Sequence, residues 1–221
     1  CLSLSKDRKE IIKQAKRKIA TNFRKQVMLA EKKNYPIAYN YYLKEFQKAS
    51  KMFIENPIIN NQNFNTLFNE TETKKMYSDM YKQTGLRFAK WYADTFRKVA
   101  KKELTPSVIE QNMERYATEK ENYLALVREV SAVSGVAKST LKKVLAELLA
   151  DETFMSLGEE ARVREIMKRL KFKARWMARR IVRTETTASA NFGIQLSASD
   201  IYGDENLVKE WIASDGSRTR D

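Results

Sequence analysis

The chain has 221 residues, 43% of them hydrophobic, and its 42 lysines and arginines exceed its 28 acidic residues by 14. This size and apolar content can build a folded core, and the excess positive charge favours anionic partners such as nucleic acid or an acidic protein surface. The 221 residues include no histidine, and this excludes Ser-His-Asp catalysis, Cys-His catalysis and histidine-containing metal sites within them. One cysteine excludes an internal disulfide and a cysteine zinc cluster.

Helices are expected to dominate, because only three prolines and six glycines interrupt the chain and no long alternating segment precedes residue 200. Apolar residues at steps of three and four predict a first helix over about 6–33. Pro36 then permits a new helix, and an aromatic stripe predicts it over about 37–54. Six asparagines between Asn56 and Asn69 predict a long loop near 55–70.

Helical periodicity resumes over about 71–104, and Thr105-Pro106 indicates a further helix start. The longest apolar run, around 144–150, is shorter than the roughly 20 residues that cross a bilayer, so no membrane partner is expected. Ser156 and Glu159 have the spacing of a capping box and predict a helix from near Leu157 through Ile181. A short strand is predicted over 207–212. The expected fold is mainly α, an elongated helical bundle with a small α+β region at its carboxyl end.

The strongest charge concentration lies between Arg162 and Arg183, where ten lysines or arginines accompany one acid, Glu165. Such a segment can grip a polyanion without reading its sequence, or pair with acidic residues of a neighbouring protein. We weigh the two equally. The candidate DNA- or partner-binding residues are Arg162, Arg164, Lys168, Arg169, Lys171, Lys173, Arg175, Arg179 and Arg180.

Residues 131–149 resemble a helix-turn-helix of bacterial repressors, with Gly135 in the turn. This would make the protein a sequence-specific DNA-binding protein, which is the alternative function. An ordinary corner of a helical bundle has the same pattern and is the more frequent structure. In that case Val136 and four leucines or valines further on belong to the core: Leu141, Val144, Leu145 and Leu148.

Two blocks near the carboxyl end are more distinctive. The first contains Arg183-Thr184-Glu185 followed by Asn191 and Gly193, and the second contains Trp211 and then Asp215, Arg218, Thr219 and Arg220. In kind, order and spacing they resemble the carboxyl-terminal signature of the phage Mu F-like minor head proteins, also called phage head morphogenesis proteins. The family pattern continues with a histidine beyond the second block, so the Mu F-like region is expected to be truncated at Asp221.

The resemblance implies a minor head protein of a tailed bacteriophage, acting in head morphogenesis at or near the portal vertex. It implies a helical assembly and portal-contact region over 1–150 and a Mu F-like region over 151–221. The expected partners are the portal protein, the major capsid or scaffolding protein and packaged double-stranded DNA. The expected location is the virion, in the capsid interior or at the portal vertex, and the host cytoplasm during assembly.

No catalytic residue, metal ion or cofactor is assigned, and we expect a protein that is not an enzyme. Arg183 and Glu185 lie two residues apart, so they point to different sides of a helix and need separate partners. We expect both to pin the turn at 215–221 by charge-assisted hydrogen bonds. A magnesium-dependent nuclease is the least favoured alternative, since it must rely on acids of a predicted loop region: Asp200, Asp204, Glu205, Asp215 and Asp221.

Overall fold

The computed structural model describes residues 6–56, 66–100, 111, 124–203 and 207. These residues are predominantly helical, as predicted, and they contain no strand. The helices are α1 (Lys6–Glu55), α2 (Glu70–Ala100), α3 (Leu124–Leu149), the single-turn α4 (Glu152–Met155) and α5 (Glu159–Tyr202). Leu207 is not helical, and the rest of the strand predicted over 207–212 lies outside the described residues, as does Thr105-Pro106.

The prediction of two helices separated at Pro36 was wrong, because α1 is one helix of 50 residues with Pro36 inside it. A proline within a helix removes one hydrogen bond and costs about 3 kcal/mol. Pro36 itself is exposed, whereas Asn34 and Ala38 on either side of it are buried. Packing of the same helix face before and after the proline therefore outweighs its local cost.

The asparagine-rich segment does separate two helices, since α1 ends at Glu55 and α2 begins at Glu70. Residues 57–65 lie outside the described part, but the turn before α2 is anchored. The backbone N–H of Phe68 donates to the buried Glu45 carboxylate of α1 at 2.6 Å. The Asn69 side chain accepts from the N–H of Thr71 at 2.7 Å, which satisfies a donor in the first turn of α2.

The core is formed mainly where α5 packs along α1 and α2. The predicted aromatic stripe of α1 contributes to it, and Tyr42, Phe46 and Phe53 are buried there. Aromatic contacts with Phe68 connect this stripe to the turn before α2. A second, smaller cluster lies between α1, α2 and α5, around Ala30, Phe88 and Ala190.

Neither the alternative helix-turn-helix nor the more frequent bundle corner forms at Gly135, so both predictions of a turn there were wrong. Helix α3 continues without a turn from Leu124 to Leu149, and Gly135 lies within it and is exposed. A helix tolerates one exposed glycine at a cost of about 1 kcal/mol, so Gly135 need not break it. The predicted core positions are confirmed for Leu141, Val144, Leu145 and Leu148, whereas Val136 is 47% exposed.

Helix α5 begins two residues later than predicted, and the capping box does not form. Its N-cap is Gly158, which provides no side-chain hydrogen bond. Ser156 instead ends α4, where its hydroxyl donates to the carbonyl of Thr153 at 2.8 Å. Asp151 caps the start of α4 by accepting from the N–H groups of Thr153 and Phe154. Ser156, which the sequence pattern assigned to the start of α5, therefore lies at the end of the additional helix α4.

Helix α5 is 44 residues long and ends at Tyr202. It is capped by Gly203, whose φ of 78° is a conformation that glycine adopts easily. The first signature block, which follows the predicted end of this helix at Ile181, therefore lies in the interior of α5. The division of the chain near residue 150 stays a prediction. The main core contains residues from both sides of that boundary, since Tyr42 and Leu170 belong to the same cluster.

Candidate partner-binding surface

The basic segment of α5 consists of two groups of cations that differ in their partners. Those near the amino end have acidic or carbonyl partners: Arg162 donates to the Leu157 carbonyl, Arg164 pairs with Glu160, Lys168 pairs with Glu165, and Arg169 pairs with Glu165 and Asp151. Further along, five exposed cations have no ion-pair partner among the described residues. They are Lys171, Lys173, Arg175, Arg179 and Arg183.

Two large aromatic side chains lie exposed among these cations. Phe172 is 68% exposed and Trp176 is 52% exposed. They are one helical turn apart and therefore neighbours on the surface of α5. The Arg180 guanidinium lies 5.6 Å from the centre of the Trp176 ring, within the range of a cation–π interaction.

The exposed residues at successive steps of three or four along α5 share one side of the helix. We call this side the basic–aromatic face, and it consists of Lys168, Phe172, Arg175, Trp176, Arg179 and Arg183. Arginine and aromatic residues are enriched in protein interfaces. The composition of this face therefore resembles that of protein interfaces.

Phe172 forms the ridge between two grooves. One groove, of about 460 Å³, has Val163 and Met167 among its lining residues, together with several of the α5 cations. The other, of about 400 Å³, lies between α3 and α5. Val144 and Trp176 contribute apolar lining there, Lys143 and Lys173 contribute positive charge, and Glu147 contributes one negative charge. Either groove can accept apolar side chains of a partner whose acidic groups meet the surrounding lysines and arginines.

The first signature block has structural contacts. The prediction that Arg183 and Glu185 point to different sides of α5 is confirmed, because Arg183 is exposed and Glu185 is buried. The Tyr81 hydroxyl of α2 donates to the buried Glu185 carboxylate, so Glu185 faces the bundle interior. Thr184 is exposed and donates to the Arg180 carbonyl, and Asn191 is exposed.

Gly193 lies where α5 crosses α2 at close range. A Cβ atom at this position would be 2.3 Å from the carbonyl oxygen of Gly85, which is far closer than two such atoms can approach. Both glycines are buried. The signature glycine is therefore required by the contact of two helix backbones, and the sequence could not reveal its partner.

A polar network accompanies this crossing. Asn34 of α1 is buried and donates from its amide nitrogen to the Thr84 hydroxyl at 2.7 Å and to the Thr186 hydroxyl at 2.9 Å. Ser189 donates to the Tyr81 carbonyl at 2.9 Å. These bonds join α1, α2 and α5, and sequence reasoning missed them because isolated asparagine, threonine and serine residues give no periodic signal.

The second signature block, Trp211, Asp215, Arg218, Thr219 and Arg220, lies outside the described residues. The expected pairing of Arg183 and Glu185 with the turn at 215–221 involves the same segment and stays a prediction. Of the acids considered for a nuclease, Asp200 is partly buried on α5 and the others lie outside the described residues. Among the described residues, no three acidic or cysteine side chains are grouped closely enough to hold a metal ion. No described helix is both long and apolar enough to cross a membrane.

Comparison of the chain with protein-family models, with curated proteins and with solved structures found no match.

Proposed function

We propose that this protein is a head-assembly protein of a tailed bacteriophage that acts by binding, with the basic–aromatic face of α5 as its docking surface. The observation that carries the binding role is the exposure of Phe172 and Trp176 among cations without partners in the described structure. Resemblance of the two carboxyl-terminal blocks to the Mu F-like minor head proteins supplies the viral setting. The small α+β character of that region remains part of the proposal.

The favoured partner at this face is a protein of the head, either the portal or a capsid or scaffolding protein. Apolar grooves beside Phe172 fit apolar side chains, and arginine next to tryptophan is the composition of interface residues that dominate binding energy. Packaged DNA fits the charge but does not require the grooves. In this proposal the protein is not an enzyme, and it resides in the virion interior or at the portal vertex after assembly in the host cytoplasm.

The proposal is tested by retention of the portal protein of the same phage on the immobilised chain, with and without nuclease. Changing Arg175, Arg179 and Arg183 to glutamate is expected to abolish retention. The double variant Phe172→Ala, Trp176→Ala is expected to weaken retention at least about tenfold, since aromatic anchors contribute about 1.4 kcal/mol or more to interfaces. Retention that survives nuclease but fails in both variants supports protein docking at this face.

A matched control changes three exposed cations of α1, Arg24, Lys25 and Lys32, to glutamate, which alters the net charge equally. This variant is expected to retain the portal protein. Equal losses of retention in the control and the α5 variant would show that the interaction depends on net charge alone. That result would reject the basic–aromatic face as the docking surface. No retention by the unaltered chain, together with nuclease-sensitive DNA binding, would replace the portal-binding role by a DNA-binding one.

A further inference from the structure

A small cavity lies between α1 and α2. Its lining residues belong to different helices from the basic–aromatic face, which lies on α5. It has a volume of about 100 Å³ and is lined by Ala30, Lys33, Asn34, Gln83, Thr84 and Arg87. A water molecule needs about 10–15 Å³ of cavity. The space therefore holds several waters or one tetrahedral oxyanion, and it is too small for a nucleoside.

The lining residues are rich in donors. Lys33 and Arg87 contribute two positive charges, and no carboxylate belongs to the lining. Neither cation has an ion-pair partner among the described residues. Two cations side by side without an acid repel each other, and an anion between them removes that repulsion.

The hydrogen-bond donors of the Arg87 guanidinium are only partly paired. Its Nη2 donates to the Gln26 side-chain oxygen at 2.7 Å, but its Nε is buried and has no hydrogen-bond acceptor in the described structure. A buried donor on a charged group that lacks an acceptor is costly. An oxygen atom in the cavity is the kind of acceptor that this donor lacks.

Thr84 adds a neutral donor. Its hydroxyl oxygen already accepts from the Asn34 amide at 2.7 Å. A hydroxyl that accepts one bond still has its proton to donate. The Asn34 side chain, fixed between Thr84 and Thr186, holds this hydroxyl at the edge of the cavity.

We propose that the cavity between α1 and α2 is a binding site for a single phosphate group, held by the Arg87 guanidinium, the Lys33 ammonium and the Thr84 hydroxyl. Charge-assisted hydrogen bonds from arginine match the oxygens of phosphate, and lysine adds a point charge. The phosphate is either inorganic or the terminal phosphate of a nucleic acid. This site does not depend on the docking role of α5.

The test observes the arginine Nε–H resonances of the full chain by NMR, with the Arg87 signal identified by its loss in Arg87→Lys. Sodium phosphate is added against sodium chloride at equal ionic strength. The Arg87 signal is expected to shift to saturation with phosphate and not with chloride. Lys33→Gln is expected to weaken phosphate binding about fivefold, because one nearby charge is removed.

Lys32→Gln is the matched control, since Lys32 is the adjacent exposed lysine of α1 and does not line the cavity. It is expected to leave the affinity within about twofold, which is the effect of a distant, screened charge. Equal weakening by Lys32→Gln and Lys33→Gln, or a linear shift of every arginine signal, would overturn the site. Because Lys33 is exposed, its replacement tests the site even if Arg87→Lys disturbs the fold.

A short DNA with a 5′ phosphate and the same DNA without it distinguish the two sources. If only the phosphorylated DNA shifts the Arg87 signal, and at lower concentration than inorganic phosphate, the ligand is a nucleic-acid end. If inorganic phosphate binds more tightly than either DNA, the ligand is the free anion. Both results support a phosphate site, and failure of all three probes to shift the signal rejects it.

Discussion

The two halves of α5 pack against the bundle in different ways. Between Glu159 and Arg183 its buried side chains are mostly large and apolar, including Ile166, Leu170 and Ile181. Between Thr184 and Tyr202 most are small or polar, including Ser189, Ala190 and Gly193. Burial of apolar surface stabilises the packing of the first half, whereas close approach of helix backbones and buried hydrogen bonds stabilise the packing of the second.

This difference also separates the surfaces. The half with the large apolar core exposes Phe172 and Trp176 on its other side, whereas the half with the small residues contains Glu185 and Gly193 of the first signature block. The buried signature residues Glu185 and Gly193 contact α2, and the exposed face of the other half is the proposed docking surface. The first signature block and the proposed docking surface therefore lie on successive stretches of one helix and share Arg183.

The largest effect on stability is expected in the first half. Leu170→Ala removes a fully buried side chain from the main core and should lower the free energy of unfolding by about 3 kcal/mol. Phe172→Ala, two residues away and 68% exposed, should change it by less than about 0.5 kcal/mol. Urea unfolding of both variants measures the contrast, and similar losses would show that Phe172 is covered by the protein itself.

A loss of about 2 kcal/mol is expected for Gly193→Ala in the second half, because the added methyl group forces α2 and α5 apart at the Gly85 carbonyl. Gly135→Ala is the matched control, since nothing lies within 4 Å of a Cβ there. It should stabilise the protein by about 0.5–1 kcal/mol through helix propensity. Thermal unfolding of both variants checks the opposite signs, and a stabilised Gly193→Ala protein would disprove the close crossing.

A smaller loss, about 1.5 kcal/mol, is expected for Tyr81→Phe, which removes the hydroxyl that donates to the buried Glu185. The pair is isolated by a double-mutant cycle with Glu185→Gln, followed by urea unfolding. A clear coupling energy between the two changes is expected. Additive losses would mean that Glu185 is stabilised by its other neighbours and that the signature glutamate does not depend on α2.

Sequence reasoning predicted the first half of α5 better than the second. Ile166, Leu170 and Ile181 follow a helical period, and that period identifies the buried face. The same period places Phe172 and Trp176 outside the buried face, and their exposure could have been predicted from it. The burial of Ser189 and Gly193 could not be predicted, since small residues carry little hydrophobic signal and their contacts depend on Gly85 of α2.

Two local rules also failed where packing outweighed them. Pro36 normally indicates a helix boundary, and the glycine at 135 resembles that of a turn, yet α1 and α3 pass through them. The buried residues near each position, Asn34 and Ala137, hold the helix in place. Neither contact is visible in a local sequence pattern.

The length of α1 has a mechanical consequence. Its 50 residues extend about 75 Å at 1.5 Å per residue, and the described side chains between residues 8 and 18 are all exposed. This stretch alone is a rod of about 16 Å. Residue 8 therefore lies about that far along the helix axis from residue 18, and the length of this exposed stretch depends directly on the number of residues in it.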